Sequence, residues 1–351
     1  MREVIQKEWH ELQAIWCQLY DSNTAASPFQ SWDYLHRTGM GSESHREPFR
    51  LLGLKPLNLV LLRDGQPIAA AALLHKKEKG RHICYLRGHF TAANYLDIMY
   101  TPDFDAADFS TLMDEARRLL GNAEFQFDRI RDDSPTRLFM SAYFANGHIE
   151  QRECACISLT QSYDDWLQGL RKSARDSLTN RRNRLLTDRA DWSVEVRSGC
   201  DVDMPSYKRA MNVCAERYLT KNALRLGPLS RLAARALAAL LLRDKLSQWV
   251  KQSKHGLFAL LRINGEVAAF ASMVVCKDKC VSGVRFAIDH RFSRYSPGCL
   301  LLSQLIRHLT QARQCGALSA DRLDMGQGVS GGSSYKYAYG GETRHLYFFS
   351  D

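Results

Sequence analysis

Short apolar runs broken by turn residues alternate along this chain with apolar positions at helical spacing. The segments "LVLLRDGQPIAAAALL", from Leu59, and "FALLRINGEVAAFASMVV", from Phe258, each place a two-residue turn between apolar stretches, Asp64-Gly65 in one and Asn264-Gly265 in the other. Residues in these turns tolerate positive φ, so both segments predict β-hairpins. A charged turn follows in each case, Lys76 to Gly80 and Lys277 to Lys279, and then a third strand. Helical periodicity next predicts helices over Phe109–Leu120 and Leu300–Gln314, followed by the strands "FQFDRIRD" and "ADRLDMG". Asp128-Arg129-Ile130 and Asp321-Arg322-Leu323 fall at matching points of the two series. A hairpin backed by a strand–helix–strand crossover describes a mixed α/β sheet, and its recurrence in one order predicts an internal duplication.

Between the two series, Gln161 to Trp192 reads as one long amphipathic helix. Trp166, Leu167, Leu170, Leu178 and Leu185 are its apolar positions, and Arg171, Lys172, Arg175, Arg181, Arg182, Arg184 and Arg189 carry its charge. This gives an N-terminal domain over 1–160, a basic linker helix over 161–195 and a C-terminal domain over 196–351. Most of these arginines suit a solvated face, whereas Arg175, Arg181 and Arg182 are candidates for gripping phosphate with guanidinium forks. The N-terminal "MREVIQKEWHELQAIW" reads as an amphipathic helix without the apolar core of a signal peptide. The most aliphatic stretch, Leu232–Leu242, is too short to span a bilayer. These features predict a soluble, cytoplasmic protein with no integral membrane segment.

The chain length, 351 residues, suits two domains. The net charge of +10 favours an anionic partner, whether nucleic acid, lipid headgroups or a phosphate-rich cofactor. Ten cysteines occur without a C-x-x-C pair and mostly within apolar runs, which predicts reduced core residues and no metal.

Two glycine-bearing segments invite chemistry. Gly326, Gly328 and Gly331 form a literal G-x-G-x-x-G, but too little chain follows for a second strand and a ribose-binding acid, so a dinucleotide fold is excluded. The segment reads instead as a loop of small residues, Gly332 included, that lets backbone or ligand approach closely and places Tyr335 and Lys336 at a cleft. In "RYSPGCLL", Ser296 suits an N-cap, Pro297 the first helical position, and Gly298 leaves the first-turn amides unobstructed. Such a helix start is either simply well capped or an anion cradle.

The order strand, "RYSPGCLL" helix, "DRLDMGQG" strand and "SSYKYAYGGE" resembles the GNAT-superfamily acetyltransferase-like group associated with cellulose and exopolysaccharide biosynthesis. "SPFQSWDYL" (Ser27–Leu35) and "SARDSLTNRRNRL" (Ser173–Leu185) are similar to further landmarks of that group. A more distant resemblance is to the Fem-type peptidyltransferases. The resemblance implies tandem GNAT-like domains in which the second holds the acyl donor, acetyl-CoA or another acyl-CoA, around Tyr295, Ser296, Pro297, Gly298 and Cys299. The usual Q/R-x-x-G-x-G/A pattern is not matched, since Cys299 and Leu300 follow Gly298. The first domain lacks these residues and is expected to shape the acceptor cleft.

Acyl transfer needs a base for the acceptor amine, for which Asp289, His290 and Asp324 are candidates. It also needs oxyanion donors, which strand amides or Lys336 could supply, and a proton for the leaving thiolate, for which Tyr335 or Tyr295 is suitable. The implied reaction is N-acyl transfer to a small-molecule or glycan-precursor amine, an amino sugar being one. Two alternatives stay open. An aminoacyl-tRNA-dependent, Fem-like transferase would use the basic charge to hold RNA, and a non-catalytic duplicate would only bind a ligand.

Overall fold

A computed structural model of the chain describes residues 1–37, 53–90, 95–221, 230–327 and 335–351. The chain forms two compact units, Met1–Cys154 with Arg344–Asp351, and Ala155–Thr343.

The first unit runs β1 (Arg2–Gln6), α1 (Trp9–Ser22), a 3₁₀ turn (Pro28–Gln30), α2 (Trp32–Leu35), β2 (Lys55–Arg63), β3 (Gln66–Glu78), β4 (Arg81–Leu86), β5 (Met99–Tyr100), α3 (Ala106–Leu120), β6 (Glu124–Arg131) and α4 (Pro135–Tyr143). Strand β7 (His148–Ser158) follows, its residues to Cys154 belonging here. The second unit holds α5 (Tyr163–Gly169), α6 (Lys172–Thr187), β8 (Trp192–Ser198), α7 (Met204–Lys221), α8 (Ser230–Arg243), α9 (Lys245–Gln252), β9 (Gly256–Ile263), β10 (Glu266–Val275), β11 (Cys280–Ile288), a 3₁₀ turn (His290–Tyr295), α10 (Pro297–Gln314), β12 (Arg322–Gln327) and α11 (Tyr335–Ala338). Strand β13 (Glu342–Ser350) returns to the first unit, where it pairs with β6.

Each unit builds its sheet in the same order, β1-β2-β3-β4-β6 in the first and β8-β9-β10-β11-β12 in the second. In both, the first four strands are antiparallel neighbours and the last joins in parallel after a crossover helix, α3 or α10. The two hairpin turns form as the sequence predicts, with Asp64, Gly65, Asn264 and Gly265 all at positive φ. The Cys276–Cys280 turn also closes, Cys276 N–H donating to Cys280 O at 2.7 Å.

Three expectations change. Residues Arg2–Gln6 form an edge strand on β2 rather than the start of a helix, because the reciprocal Glu8–Glu11 capping box starts α1 at Trp9. The basic segment is two helices, since Leu170 (ψ 151°) and Arg171 (ψ 144°) adopt extended backbone after Gly169. The second of them, α6, packs Ala174, Leu178 and Leu185 into the core of the second unit beside α10. Finally, the Asp-Arg triplets enter the sheet differently: parallel pairing begins at Glu124 in β6, ahead of Asp128, but at Arg322 in β12, within its triplet.

Helix α10 anchors the second core. Leu301, Leu305, Ile306 and Leu309 lie buried against β9 and β10 with Ala259, Leu261, Ala269 and Ala271. Small strand residues let the helix approach closely, and each buried leucine or isoleucine contributes roughly 2 kcal/mol. None of the ten cysteines forms a disulfide. Among the described residues, no helix is long and apolar enough to cross a membrane and no group of three ligands could hold a metal ion.

Candidate active site

The site follows from where β11 and β12 stop pairing. Their parallel register covers Cys280↔Arg322, Val281↔Leu323 and Ser282↔Asp324 only, although β11 continues to Ile288. Gly283 marks the divergence. A Cβ there would lie 2.4 Å from the Phe286 ring and 3.0 Å from Asp324 O, so only glycine fits. One residue on, Val284 is passed over in the register with β10, a bulge that bends the strand.

A cavity of about 260 Å³ opens at this divergence, lined by Phe270, Phe286, Ile288, Leu301, Leu302 and Met325, with Arg217, Ser293, Ser296, Pro297, Gly298 and Cys299 at its polar side. An apolar cleft with a few convergent polar groups is the usual form of a small-molecule site. The α10 N-terminus at this cavity has no acidic residue in its first turn. Cys299 and Leu300 donate back to Ser296 O at 3.0 and 3.4 Å, and Pro297 has no N–H, so the Gly298 amide is left without a backbone acceptor among the described residues.

Ser296 departs from its expected role. It sits in the left-handed region (φ 48°, ψ 59°) and its side chain makes no cap hydrogen bond. A non-glycine residue there costs on the order of 1–2 kcal/mol, and the conformation is held by Ser296 N–H donating to Ser293 O at 2.9 Å. Pro297 takes the first helical position as expected. Gly298 is tightly placed, since an added Cβ would lie 3.1 Å from Ile288 Cγ2. Cys299 lines the cavity beside Tyr339, whose buried phenol, pushed up to about 12 by burial, also accepts from Arg181.

Other candidates are engaged elsewhere. Asp289, 2% exposed, is bound by Arg209 (2.5 Å) and Arg291 (2.8 Å), so although burial pulls its pKa up, the Arg291 and Arg209 contacts hold it below the usual carboxylate range. It anchors an ion-pair cluster and is unsuited to accept a proton. Asp324 accepts from Gly326 N–H at 2.6 Å, and Lys336 Nζ donates to Met325 O (2.6 Å) and Gly326 O (3.3 Å), so both shape the turn at Gly326. Tyr295 donates to Asp188 at 2.7 Å, which raises its pKa. His290 is exposed, and its ring makes no hydrogen bond among the described residues. Arg175 caps α5 through Gln168 O and Leu170 O at 2.7 and 2.5 Å, whereas Arg182 stands exposed. Gly328, Gly331, Gly332 and the Tyr335 side chain lie outside the described residues.

Sequence reasoning missed Arg209 and Arg217 on α7. Arg217 donates to Phe286 O at the cavity wall. Their only signal is a pair of arginines eight positions apart in an otherwise mixed helix.

In the first unit the corresponding helix start is closed. Asp105 and Asp108 form a reciprocal capping box at α3, and Asp108, 0% exposed, is ion-paired with Arg2 (2.6 Å) and Arg63.

Residues 172–337 match the family described as the acetyltransferase (GNAT) domain. The fold is that of tandem GNAT proteins. A tandem GNAT protein from the clavulanic acid biosynthesis pathway, in its form without acetyl-CoA, aligns with a TM-score of 0.51 at 10% identity over 99% of this chain and 98% of that one. A conserved protein of unknown function from Bacteroides thetaiotaomicron aligns with a TM-score of 0.54 at 10% identity over 99% of each chain. Among curated proteins, none matches the sequence.

Proposed function

We propose that the second unit is an N-acyltransferase that takes an acyl group, acetyl in the simplest case, from acyl-CoA and passes it to an amine. The observation that carries this reading is the 260 Å³ cavity at the β11–β12 divergence, where the α10 N-terminus meets an apolar wall. Unsatisfied helix amides and the macrodipole favour a pyrophosphate, and the apolar side suits the thioester arm. The Gly298 amide is the first contact for a phosphate oxygen, and Arg217 offers a cation to the same cavity. In the first unit, Asp105 and Asp108 already hold the equivalent helix start, which argues against a second donor site there.

The acceptor is an amine of the amino-sugar class, in line with the resemblance to envelope and exopolysaccharide enzymes. In the reaction, the amine nitrogen bonds to the thioester carbon, the C–S bond breaks, and the amine proton leaves through a base while the thiolate takes a proton. His290 is the candidate base whose ring is unengaged among the described residues. The aminoacyl-tRNA alternative loses support because Arg175 and Arg181 are committed to internal partners.

Calorimetry with acetyl-CoA and desulfo-CoA tests the donor. Wild type should bind both, and Gly298→Phe, which adds a bulky ring at the cavity wall beside Ile288, should lose at least about 1.4 kcal/mol, a tenfold weakening, while its circular dichroism stays unchanged. Unchanged affinity in a folded variant would refute the cradle. A general base of this kind contributes roughly 10²–10⁴-fold, so His290→Ala should lower kcat by that order with KM for acyl-CoA nearly constant. A variant with full kcat removes His290 from the mechanism.

A further inference from the structure

In the first unit, β4 and β6 pair over Ile83↔Glu124, Cys84↔Phe125 and Tyr85↔Gln126 and then diverge, as β11 and β12 do. The equivalent divergence here holds an ionisable cluster. Opposite β13 the register passes from Ile130↔Tyr347 to Phe127↔Phe349, so Asp128 and Arg129 together face Phe348 as a β-bulge. Arg129 lies at φ 61°, a left-handed residue within a strand. Bulges and strained non-glycine residues of this kind persist where the surroundings over-determine them, and they concentrate at functional sites.

The bulge aims Asp128 at a histidine. Asp128 Oδ1 lies 2.9 Å from His89 Nδ1, while Arg129 binds Asp128 Oδ2 at 2.7 Å and donates to His89 O. Burial raises the Asp128 pKa, but the His89 hydrogen bond and the Arg129 charge more than offset it, so Asp128 stays a carboxylate. An ionised carboxylate only accepts, so in the neutral imidazole the proton sits on Nδ1 and Nε2 keeps its lone pair. His89 Nε2 makes no hydrogen bond among the described residues, and His89 is only partly buried. Phe90, also partly exposed, packs edge-on to His89 at 4.6 Å, and the Lys76 ammonium lies 5.8 Å from the Phe90 ring centre.

We propose that the first unit carries its own ligand site at the β4–β6 divergence, in which His89, fixed by Asp128, accepts a hydrogen bond from the hydroxyl or amine of a small polar ligand resting against Phe90. A fixed acceptor beside a partly exposed aromatic ring forms the pattern that recognises an amphipathic, X–H-bearing molecule, and the nearby Lys76 ammonium is held by Glu78 at 2.5 Å. Asp128 and Arg129 are positioning residues. The site is independent of the acyl-CoA reading, because every group in it lies within the first unit.

The test reads His89 directly, by long-range ¹H–¹⁵N correlation of the histidine side chains in the full-length protein, with His89→Gln assigning the signal. The expected wild-type tautomer carries its proton on Nδ1. Titration with glucosamine, glucose and propylamine should shift the Nε2 resonance saturably. Glucose alone active marks a hydroxyl ligand, propylamine alone an amine. Asp128→Asn should free the tautomer and abolish the saturable shift while the melting profile stays cooperative, and Asp128→Glu should restore part of it. An Nε2-protonated His89 in the wild type, or no saturable response to any of the three probes, would overturn the proposal.

Discussion

Residues held in costly states mark the places where this chain departs from its local preferences. His75 is buried on β3 with its Nδ1 3.1 Å from His82 Nδ1. Burial, followed by the charges of His82 and Lys55, lowers its pKa from 6.5 to about 4. The folded state therefore refuses a proton that the unfolded chain accepts below about pH 6.5. Stability present at neutral pH should be lost as pH falls from there towards 4, by on the order of 3 kcal/mol at about 1.4 kcal/mol per pKa unit. Urea unfolding at stepped pH should show this slope, and His75→Gln should flatten it; an equal slope in the variant would assign the acid sensitivity elsewhere. Ser296 shows what local reading cannot reach. A residue before proline normally favours extended backbone, and the sequence "YSPG" points to an ordinary cap. The left-handed turn is imposed by the 3₁₀ segment His290–Tyr295 that precedes it. Asp289 is similar. Beside the local Arg291, its partner Arg209 comes from 80 residues away, and no local pattern announces it.

At the scale of elements, the two hairpins and both crossover helices were legible because their signals are local: Asn-Gly and Asp-Gly fix turn type, and apolar spacing fixes the buried face. The break in the basic segment was hidden because Gly169 and Leu170 fit helical periodicity equally well. What stops the helix is the extended Leu170–Arg171 link, with Arg175 returning to cap α5. The cleft itself was legible only in part. "RYSPGCLL" pointed to the helix start, but the divergence of β11 from β12 depends on Gly283 and a bulge that the sequence does not advertise. Helix α3 offers a sharp test of the contrast between the units. Asp108→Asn removes the charged partner of Arg2 and Arg63 from a fully buried position, and because both arginines remain partly exposed the loss should be about 1.5–3 kcal/mol, the range for hydrogen bonds to charged groups. Chemical denaturation should register that loss; a change below about 1 kcal/mol would mean the arginines find water instead.

For the whole molecule, the sequence boundary at 160 and the compact units differ most at the chain's end. Residues Arg344–Asp351 belong to the first unit, where β13 pairs with β6 and Asp351 accepts from Arg117 at 2.6 Å and from Phe125 N–H at 2.7 Å. By sequence, too little chain follows the glycines for a further strand, yet Glu342–Ser350 forms one and pairs with β6 of the first unit, a neighbour no local pattern announces. Removing Arg344–Asp351 should raise amide exchange across β6 while α10 and β9–β11 keep their protection, and uniform exchange through both units would contradict this division.

The same arrangement sets a timetable for synthesis. Domains commonly fold in the order in which they leave the ribosome, but here the first unit lacks its closing strand until Arg344–Asp351 has been made. A nascent chain arrested with Thr343 just outside the exit tunnel should hold a protease-resistant second unit beside a protease-sensitive first one, and emergence of Arg344–Asp351 should seal the first unit after the second.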